Sequence, residues 1–166
     1  MNRIMRIDEY NQSRMFKEYP SGMTVGELVL TLKEDYADLL STEYMKKNAC
    51  TLNIISKEDY DKSKKWQADY PCIPCDTILC DHYRDIYILS NRKSDQYDMY
   101  DHIDVKDIDD IVKGLEGVSQ DSLVYAEYDY PEELNRVVCK ISINMETDGD
   151  RCKIMFVAAE DERYTD

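Results

Sequence analysis

A capped helix followed by a strand and a two-stranded hairpin occurs twice along the chain, and this order constrains the fold most strongly. In the first pass Thr24 is a candidate N-cap, and Glu27 follows three residues later as in a capping box. The apolar residues behind this cap recur at helical spacing, at Val25, Leu28, Leu32, Tyr36, Leu39 and Leu40. The pattern predicts a helix that reaches Lys46.

Strands are predicted from short apolar runs that turn residues interrupt. The first pass continues with a strand over residues 49–55, and with strands over residues 77–80 and 86–89 around the turn DHYRD. Between them a short helix is expected to begin near Ser56, with its Trp66 docked on the core.

The second pass begins after a polar stretch, residues 91–103, which is the predicted seam of the chain. Asp104 is expected to cap a helix over residues 105–115, and a strand follows over residues 123–128. Strands over residues 137–145 and 152–158 flank Asp148-Gly149, a strong hairpin signal.

These elements predict an α+β fold with mostly antiparallel strands and a few helices. The repeated order favours two similar helix–strand–hairpin units, over residues 24–89 and 104–158. We therefore expect an N-terminal α+β unit, residues 1–94, and an acidic C-terminal α+β unit, residues 95–166. One compact domain is the alternative.

Charge divides the chain into two unequal parts. Residues 1–94 carry fifteen acidic and fourteen basic side chains, whereas residues 95–166 carry twenty acidic and seven basic ones. Nearly all of the net charge of -14 therefore lies in the C-terminal part. Such a surface repels DNA, RNA and anionic membranes and accelerates association with cationic proteins. A surface that only keeps the protein soluble is the alternative interpretation.

The negative charge is concentrated between Asp95 and Glu133, where thirteen carboxylates face two lysines. Aspartates recur there at every third position from Asp95 to Asp110, and tyrosines are interleaved with them. Tyrosine stacks on arginine and loses little entropy on binding, so this mixture complements an arginine-rich groove. The predicted partner-binding residues are Asp95, Tyr97, Asp98, Tyr100, Asp101, Asp104, Asp107, Asp110, Glu127, Tyr128, Asp129 and Tyr130.

The sequence shows no convincing catalytic set. It contains no phosphate-binding glycine loop and no nucleophile elbow, and His82 and His102 lie outside recognisable motifs. Glu127 and Asp129 resemble nuclease metal ligands, but no lysine stands two residues beyond Glu127. An enzyme acting on nucleic acid also needs basic surface near its site. We therefore expect no enzymatic activity and no cofactor.

The most specific constellation is Cys72, Cys75, Cys80 and His82. Three thiols and an imidazole at this spacing match the soft ligands of a tetrahedral zinc site. Zinc ribbons, however, place their second ligand pair farther along, on a separate turn. Thiols in an apolar strand are also more often packed than coordinated. A small zinc-supported domain stays open as an alternative.

The compartment is predicted from the cysteines and the hydropathy. Six cysteines without a secretory signal favour free thiols in a reducing environment. No apolar run approaches the length needed to cross a bilayer. The cytoplasm is therefore the expected location, without a membrane partner.

Two segments, MTVGELVLTL and IDDIVKGLEGVSQDSLVYAEYDYPEE, resemble the helix-to-strand opening of small proteins from phages and integrated mobile elements. The similarity consists mostly of a helix cap and apolar spacing, and it carries over no catalytic or binding residue. The resemblance implies an accessory protein of a mobile element, a group in which acidic inhibitors of host defence are common.

Together these features lead to one functional hypothesis. The chain is expected to be a non-enzymatic acidic protein that blocks a basic, nucleic-acid-handling partner by charge mimicry. A phage-encoded inhibitor of a CRISPR effector or nuclease is its concrete form, and it would bind no nucleic acid itself. A structural or assembly module of a mobile element is the alternative.

Overall fold

The first helix begins at the predicted capping box. In the computed structural model, Thr24 Oγ1 accepts a hydrogen bond from the Glu27 N–H, and the Glu27 carboxylate accepts one from the Thr24 N–H. These bonds satisfy main-chain donors that a helix start otherwise leaves open. The helix, α1, runs over Val25–Leu30 and continues as a π-helical turn over Thr31–Asp35. The structure describes residues 22–35, 51–67, 70–91, 101–128, 137–148 and 151–163, so the predicted extension to Lys46 lies outside the described residues.

A second helix, α2, covers Lys57–Trp66 and is anchored by Tyr60. Ser56 is its N-cap, as the sequence predicts. Tyr60 is buried, and its hydroxyl accepts a hydrogen bond from the Asn144 side chain. Trp66 is 63% exposed, so the prediction that it docks on the core is wrong. A period of 3.6 residues places the two rings on different faces of the helix.

The third helix, α3, covers Ile108–Leu115 and begins later than predicted. Its N-cap is Asp107, whose carboxylate accepts a hydrogen bond from the Asp110 N–H. Asp104 lies upstream of this cap because the chain is still extended there. The Val105 N–H donates to the Asp76 carbonyl oxygen, and this bond continues the pairing of a strand.

Nine strands of the described residues belong to one sheet. Six of the eight strand pairings are antiparallel and two are parallel. The predicted α+β class is thereby confirmed, and the sheet is mixed. The strands are β1 Met23–Thr24, β2 Thr51–Ser56, β3 Ile73–Pro74, β4 Thr77–Asp81, β5 Ile86–Ser90, β6 Asp101–Asp104, β7 Leu123–Tyr128, β8 Val137–Asp148 and β9 Arg151–Arg163.

All six predicted strands occur, and the last two are longer than expected. β8 and β9 pair as far as Asp148 and Arg151, on either side of the predicted turn. The predicted polar seam contains β6, which pairs with β4 at the end of the strand order. β6 is an edge strand of the described sheet, and edge strands tolerate charged residues. Its sequence, Asp101–Asp104, therefore lacks the alternating apolar residues from which a strand is predicted.

The sheet curls so that β3, at one end of the strand order, is joined through Cys75 and Asp76 to β4, next to the other end. The strand order is β3-β2-β9-β8-β7-β5-β4-β6, with β1 added beside β7. β3 and β4 are separated along the chain only by Cys75 and Asp76. The Cys75 N–H donates to the Leu52 carbonyl oxygen of β2, and the Asp76 N–H donates to the Ser90 carbonyl oxygen of β5. Consecutive residues therefore connect β2 with β5 and close the curl.

Apart from β1 and β6, each half of the chain supplies three antiparallel neighbours to this curled sheet. In the N-terminal half, residues 1–94, they are β2, the β3–β4 stretch and β5. In the C-terminal half, residues 95–166, they are β7, β8 and β9. The described residues of the two halves meet at two parallel seams, β5 beside β7 and β9 beside β2, and at two antiparallel pairings, β1 with β7 and β4 with β6.

The helix that precedes each set of strands has the same apolar spacing behind its cap. Apolar residues occupy the first, fourth, fifth and eighth positions after the N-cap in both helices, and all of them pack in or against the main core. Such spacing gives a helix one apolar face. The residues are Val25, Leu28, Val29 and Leu32 after Thr24, and Ile108, Ile111, Val112 and Leu115 after Asp107.

The main core lies between the curled sheet and helices α1 and α3, which contact each other. Phe156, Ile54 and Leu89 are fully buried there. A smaller cluster that includes Tyr60 and Val157 joins α2 to the sheet. In the part of the chain that the structure describes, no helix has the length and apolar character to span a membrane.

Candidate interaction surface

Carboxylates crowd the surface formed by β6 and the start of α3. Residues 101–121 contain seven carboxylates and two lysines, Lys106 and Lys113, and none of these side chains is buried. Five of the seven come from β6, the α3 cap and the first turn of α3. We call these five residues the β6–α3 acidic surface: Asp101, Asp104, Asp107, Asp109 and Asp110.

The aspartates at every third position do not form one row on this surface. Neighbouring residues of a strand alternate between faces, so Asp101 and Asp104 point to opposite sides of β6. Asp107 is the helix cap, and Asp110 lies in the first helical turn. The repeat is thus distributed over a strand, a cap and a helix.

The two β6 aspartates are strongly exposed and each has a histidine neighbour. Asp101 has 79% of its side chain exposed, and its Oδ2 lies 2.7 Å from His82 Nε2. Asp104 has 83% exposed, and its Oδ1 lies 3.8 Å from His102 Nε2. Exposed ion pairs of this kind stabilise a fold only slightly. The exposed charge of β6 therefore contributes little to holding the protein together.

Other aspartates of the surface have a structural task. The Asp107 carboxylate caps α3, and the Asp110 carboxylate accepts a hydrogen bond from the Lys106 N–H. Negative charge at a helix N-terminus is also favoured by the helix dipole. Asp109 is exposed in the same turn. Capping therefore accounts for Asp107 and Asp110, but not for Asp101 or Asp104.

Two predicted partner-binding residues, Glu127 and Tyr128, are buried in β7. Glu127 is 1% exposed, and its Oε2 accepts a 2.7 Å hydrogen bond from Ser90 Oγ. Tyr128 is 6% exposed, and its hydroxyl lies 3.4 Å from Asp59 Oδ2. Burial, reinforced by Asp59, raises the pKa of Tyr128 to about 12. Their assignment to a binding surface is wrong, because both faces of β7 are covered.

The remaining predicted partner-binding residues fall into two groups. One group lies on β6 and at the start of α3, and the other lies outside the described residues. Asp101 and Asp104 lie on β6, Asp107 is the α3 cap and Asp110 lies in the first turn of α3, and none of these four side chains is buried. The others lie in ranges that the structure does not describe: Asp95, Tyr97, Asp98, Tyr100, Asp129 and Tyr130.

One exposed aromatic residue that the sequence did not single out is Tyr83, which follows His82 in the chain. Tyr83 is 98% exposed in the turn between β4 and β5. Asp81 fixes this turn by accepting a 3.0 Å hydrogen bond from the Arg84 N–H. The preceding residue, His82, is the one that pairs with Asp101. The only sequence signal for this tyrosine was its place in the predicted DHYRD turn.

The four zinc candidates are not brought together. Cys75 and Cys80 are buried in the core, and burial raises the pKa of Cys75 to about 12 and that of Cys80 above its usual value. Cys72 contacts Asn53 Oδ1, whereas His82 is exposed beside Asp101. Zinc binds the thiolate, and a raised pKa keeps a thiol protonated. Within the described ranges, no three His, Cys, Asp or Glu side chains form a group that could hold a metal ion.

Comparison with known proteins gives no family for this chain. No protein-family model matches it, and neither a curated protein nor a solved structure matches it.

Proposed function

We propose that the chain is a non-enzymatic binding protein whose β6–α3 acidic surface engages a basic, nucleic-acid-handling protein. The partner's cationic groove would receive the exposed carboxylates in place of phosphates, so nucleic acid would be excluded. The observation that carries this proposal is the exposure of Asp101 and Asp104, whose carboxylates serve no capping role.

A comparison between the halves supports a role for this charge beyond folding. Helix α1 is capped by the neutral Thr24, whereas α3 is capped by Asp107, and both helices bury the same apolar pattern. The N-terminal half therefore builds a capped helix and three strands with almost no net charge. The excess acidity of the C-terminal half is not a requirement of this arrangement. Charge of one sign on a surface attracts and orients an oppositely charged partner.

The chemistry around Asp101 suits arginine in particular. A guanidinium group forms paired hydrogen bonds with a carboxylate and stacks on an aromatic ring. The exposed Tyr83 ring lies in the turn between β4 and β5, and the preceding residue of this turn, His82, contacts Asp101. An arginine of the partner would therefore find a carboxylate and an aromatic face in the same area.

The similarity of the halves also supports an internal duplication of one helix–strand–hairpin unit. The cap position, the four apolar positions and the pairing of three strands correspond between α1–β5 and α3–β9. The connections differ, because α2 lies between β2 and β3 in the N-terminal half. A duplicated unit in which one copy gained acidity is consistent with a binding role for that copy.

A phage or mobile-element accessory protein is the biological setting that we propose, acting in the cytoplasm of the host cell. The support is the resemblance of the two helix segments together with the acidic surface. An inhibitor of a CRISPR effector or of a nuclease is one form of such a protein. The alternative is a structural or assembly module of a mobile element, in which the acidic residues would have no role in binding a partner.

Competition with DNA tests the proposed function. An arginine-rich peptide would be bound to fluorescently labelled duplex DNA, and the chain would be titrated in while fluorescence anisotropy reports free DNA. We expect the chain to release DNA from the peptide and to leave free DNA unbound. The effect should fall steeply with salt, because charges on the surface are screened over about 8–10 Å at physiological ionic strength.

Two aromatic variants refine this experiment. Tyr83→Ala should weaken the release of DNA, since it removes the exposed ring that follows His82, the residue in contact with Asp101. Trp66→Ala is the matched control, because Trp66 is an exposed ring on α2. Absence of DNA release at low salt, or direct binding of DNA by the chain, would reject the proposed function.

A further inference from the structure

The chain contains two histidines, and both lie beside exposed aspartates of β6. His82 Nε2, in the turn between β4 and β5, is 2.7 Å from Asp101 Oδ2. His102 Nε2, on β6 itself, is 3.8 Å from Asp104 Oδ1. These two aspartates are the ones whose exposure supports the proposed function. Each histidine of the protein is therefore placed against one of the candidate binding carboxylates.

The contact between His82 and Asp101 can take up a proton without being broken. An ionised carboxylate only accepts hydrogen bonds, so the contact requires a hydrogen on His82 Nε2. The neutral ring then takes up its second proton at Nδ1. Protonation thereby changes a hydrogen bond from a neutral donor into an ion pair. The same proton uptake by His102 places a positive charge beside Asp104.

The elements next to the two rings carry other titratable groups. They are Cys80, Asp81, Tyr83, Arg84 and Asp85 on β4 and its turn, and Lys106, Asp107, Asp109, Asp110 and Lys113 in and before α3, which packs on β6. Histidine is the side chain that ordinarily changes charge between pH 5 and 8, whereas aspartate, tyrosine, lysine and arginine ordinarily titrate outside this range. Burial raises the pKa of Cys80 above its usual value. Among these described groups, the two histidines are therefore the ones that respond to a mild fall in pH.

We propose that His82 and His102 make the β6–α3 acidic surface pH-sensitive, so that it binds its basic partner more weakly as the pH falls from about 7.5 to about 5.5. This inference rests on the proposed function. With both rings neutral, Asp101 and Asp104 present two negative charges. With both rings protonated, each carboxylate has a cation of its own chain beside it, and the four groups together carry no net charge. An arginine of the partner then competes with an internal cation for the same carboxylate oxygens.

The expected size of the effect follows from the number of charges involved. Offsetting two exposed carboxylates should weaken the binding of a cationic partner by about 2- to 30-fold. The coupling between protons and partner is reciprocal. Because proton uptake weakens partner binding, binding of the partner must also favour the neutral rings. Protons are therefore released when the partner binds near the midpoint of the histidine titration.

Isothermal titration of the full chain with an arginine-rich peptide at low salt tests the inference. The peptide would be acetylated and amidated at its ends, so that its charge stays constant over the pH range used. Three proteins would be compared at about pH 7.5 and about pH 5.5, on either side of the ordinary histidine titration. They are the parent, a neutral variant (His82→Gln with His102→Gln) and a charged variant (His82→Lys with His102→Lys). Glutamine keeps an N–H donor but does not titrate. Circular dichroism would check that each variant is folded.

Proton release would be measured separately. The titrations of the parent and of the neutral variant would be repeated at about pH 6.5 in two buffers with different heats of ionisation. A difference in the observed heat between the buffers reports the protons released on binding. A purely structural role of the histidines would not produce such a difference.

We expect the parent to bind about 2- to 30-fold more weakly at the lower pH and to release protons on binding. The neutral variant should bind equally at both pH values, and the charged variant should bind at the higher pH as weakly as the parent does at the lower. If the parent binds equally at both pH values, or if the neutral variant loses as much affinity as the parent, the inference is wrong while the proposed function stands. If the parent binds the peptide at neither pH, the proposed function is wrong and this inference is wrong with it.

Discussion

The N-terminal and C-terminal halves build similar arrangements with different surfaces. Apart from β1 and β6, each has a capped helix with four matched apolar positions and three antiparallel neighbours in one curled sheet. The first half has a net charge near zero, and the second carries nearly all of the -14. In α2 of the first half, lysine and glutamate pair on the helix surface, as Lys62 does with Glu58. Among residues 101–121 of the second half, five carboxylates and two lysines are exposed.

The difference in charge between the halves separates the side chains that the fold requires from those that it does not require. Both helices need an N-cap and an apolar face, and a neutral Thr24 or an acidic Asp107 supplies the cap. Asp101 and Asp104 supply neither a cap nor apolar contact. Their carboxylates are therefore available for a purpose other than folding.

The largest expected change in stability tests whether α1 and α3 contribute equally to the free energy of folding. Leu28 and Ile111 occupy the same position behind their caps, and both are fully buried. We expect Leu28→Ala and Ile111→Ala each to lower the free energy of unfolding by about 2–5 kcal/mol, because each leaves a cavity in the common core. Urea denaturation followed by circular dichroism measures both. If only one of the two variants loses stability, the two helices do not play equivalent parts in the core.

A smaller effect is expected when the cap of the first helix is transferred to the third. Asp107→Ala should lower the free energy of unfolding by about 1 kcal/mol, because the Asp110 N–H loses its acceptor. The double change Asp107→Thr with Asp110→Glu should stay within about 0.5 kcal/mol of the parent, since threonine also caps helices. Thermal and urea unfolding of the two variants give the comparison. If the double variant loses as much as Asp107→Ala, acidity at this cap is a requirement of the fold.

Local features of this fold were predictable from the sequence because their signals lie within a few residues. The capping box at Thr24 and Glu27 and the apolar spacing of α3 are signals of this kind. The parallel seams were not predictable, since the pairing of β2 with β9 joins residues about one hundred positions apart. An apolar run indicates a strand but does not indicate its neighbour.

The candidate surface was predictable in position but not in detail. The acidic excess around Asp101 and Asp104 is visible in composition, and both residues are exposed. Glu127 was misassigned because its burial depends on Ser90, thirty-seven residues away and in another strand. Tyr83 was missed because exposure of a turn residue depends on how the surrounding strands pair.

The central claim is that a partner uses the exposed carboxylates of the second half and the fold does not need them. Two matched double variants separate these roles. The first is Asp101→Asn with Asp104→Asn, which leaves the capping residues unchanged. The second removes two exposed carboxylates from α2 of the first half, by Glu58→Gln and Asp61→Asn.

The decisive measurement is the affinity of both double variants for the arginine-rich peptide, by isothermal titration at low salt. At about 0.2–1 kcal/mol for each exposed charge, the first variant should bind about 2- to 30-fold more weakly than the parent. Its free energy of unfolding should stay close to the parental value, and the second variant should bind nearly as well as the parent. Equal weakening in both variants, or unchanged binding in the first, would contradict the account.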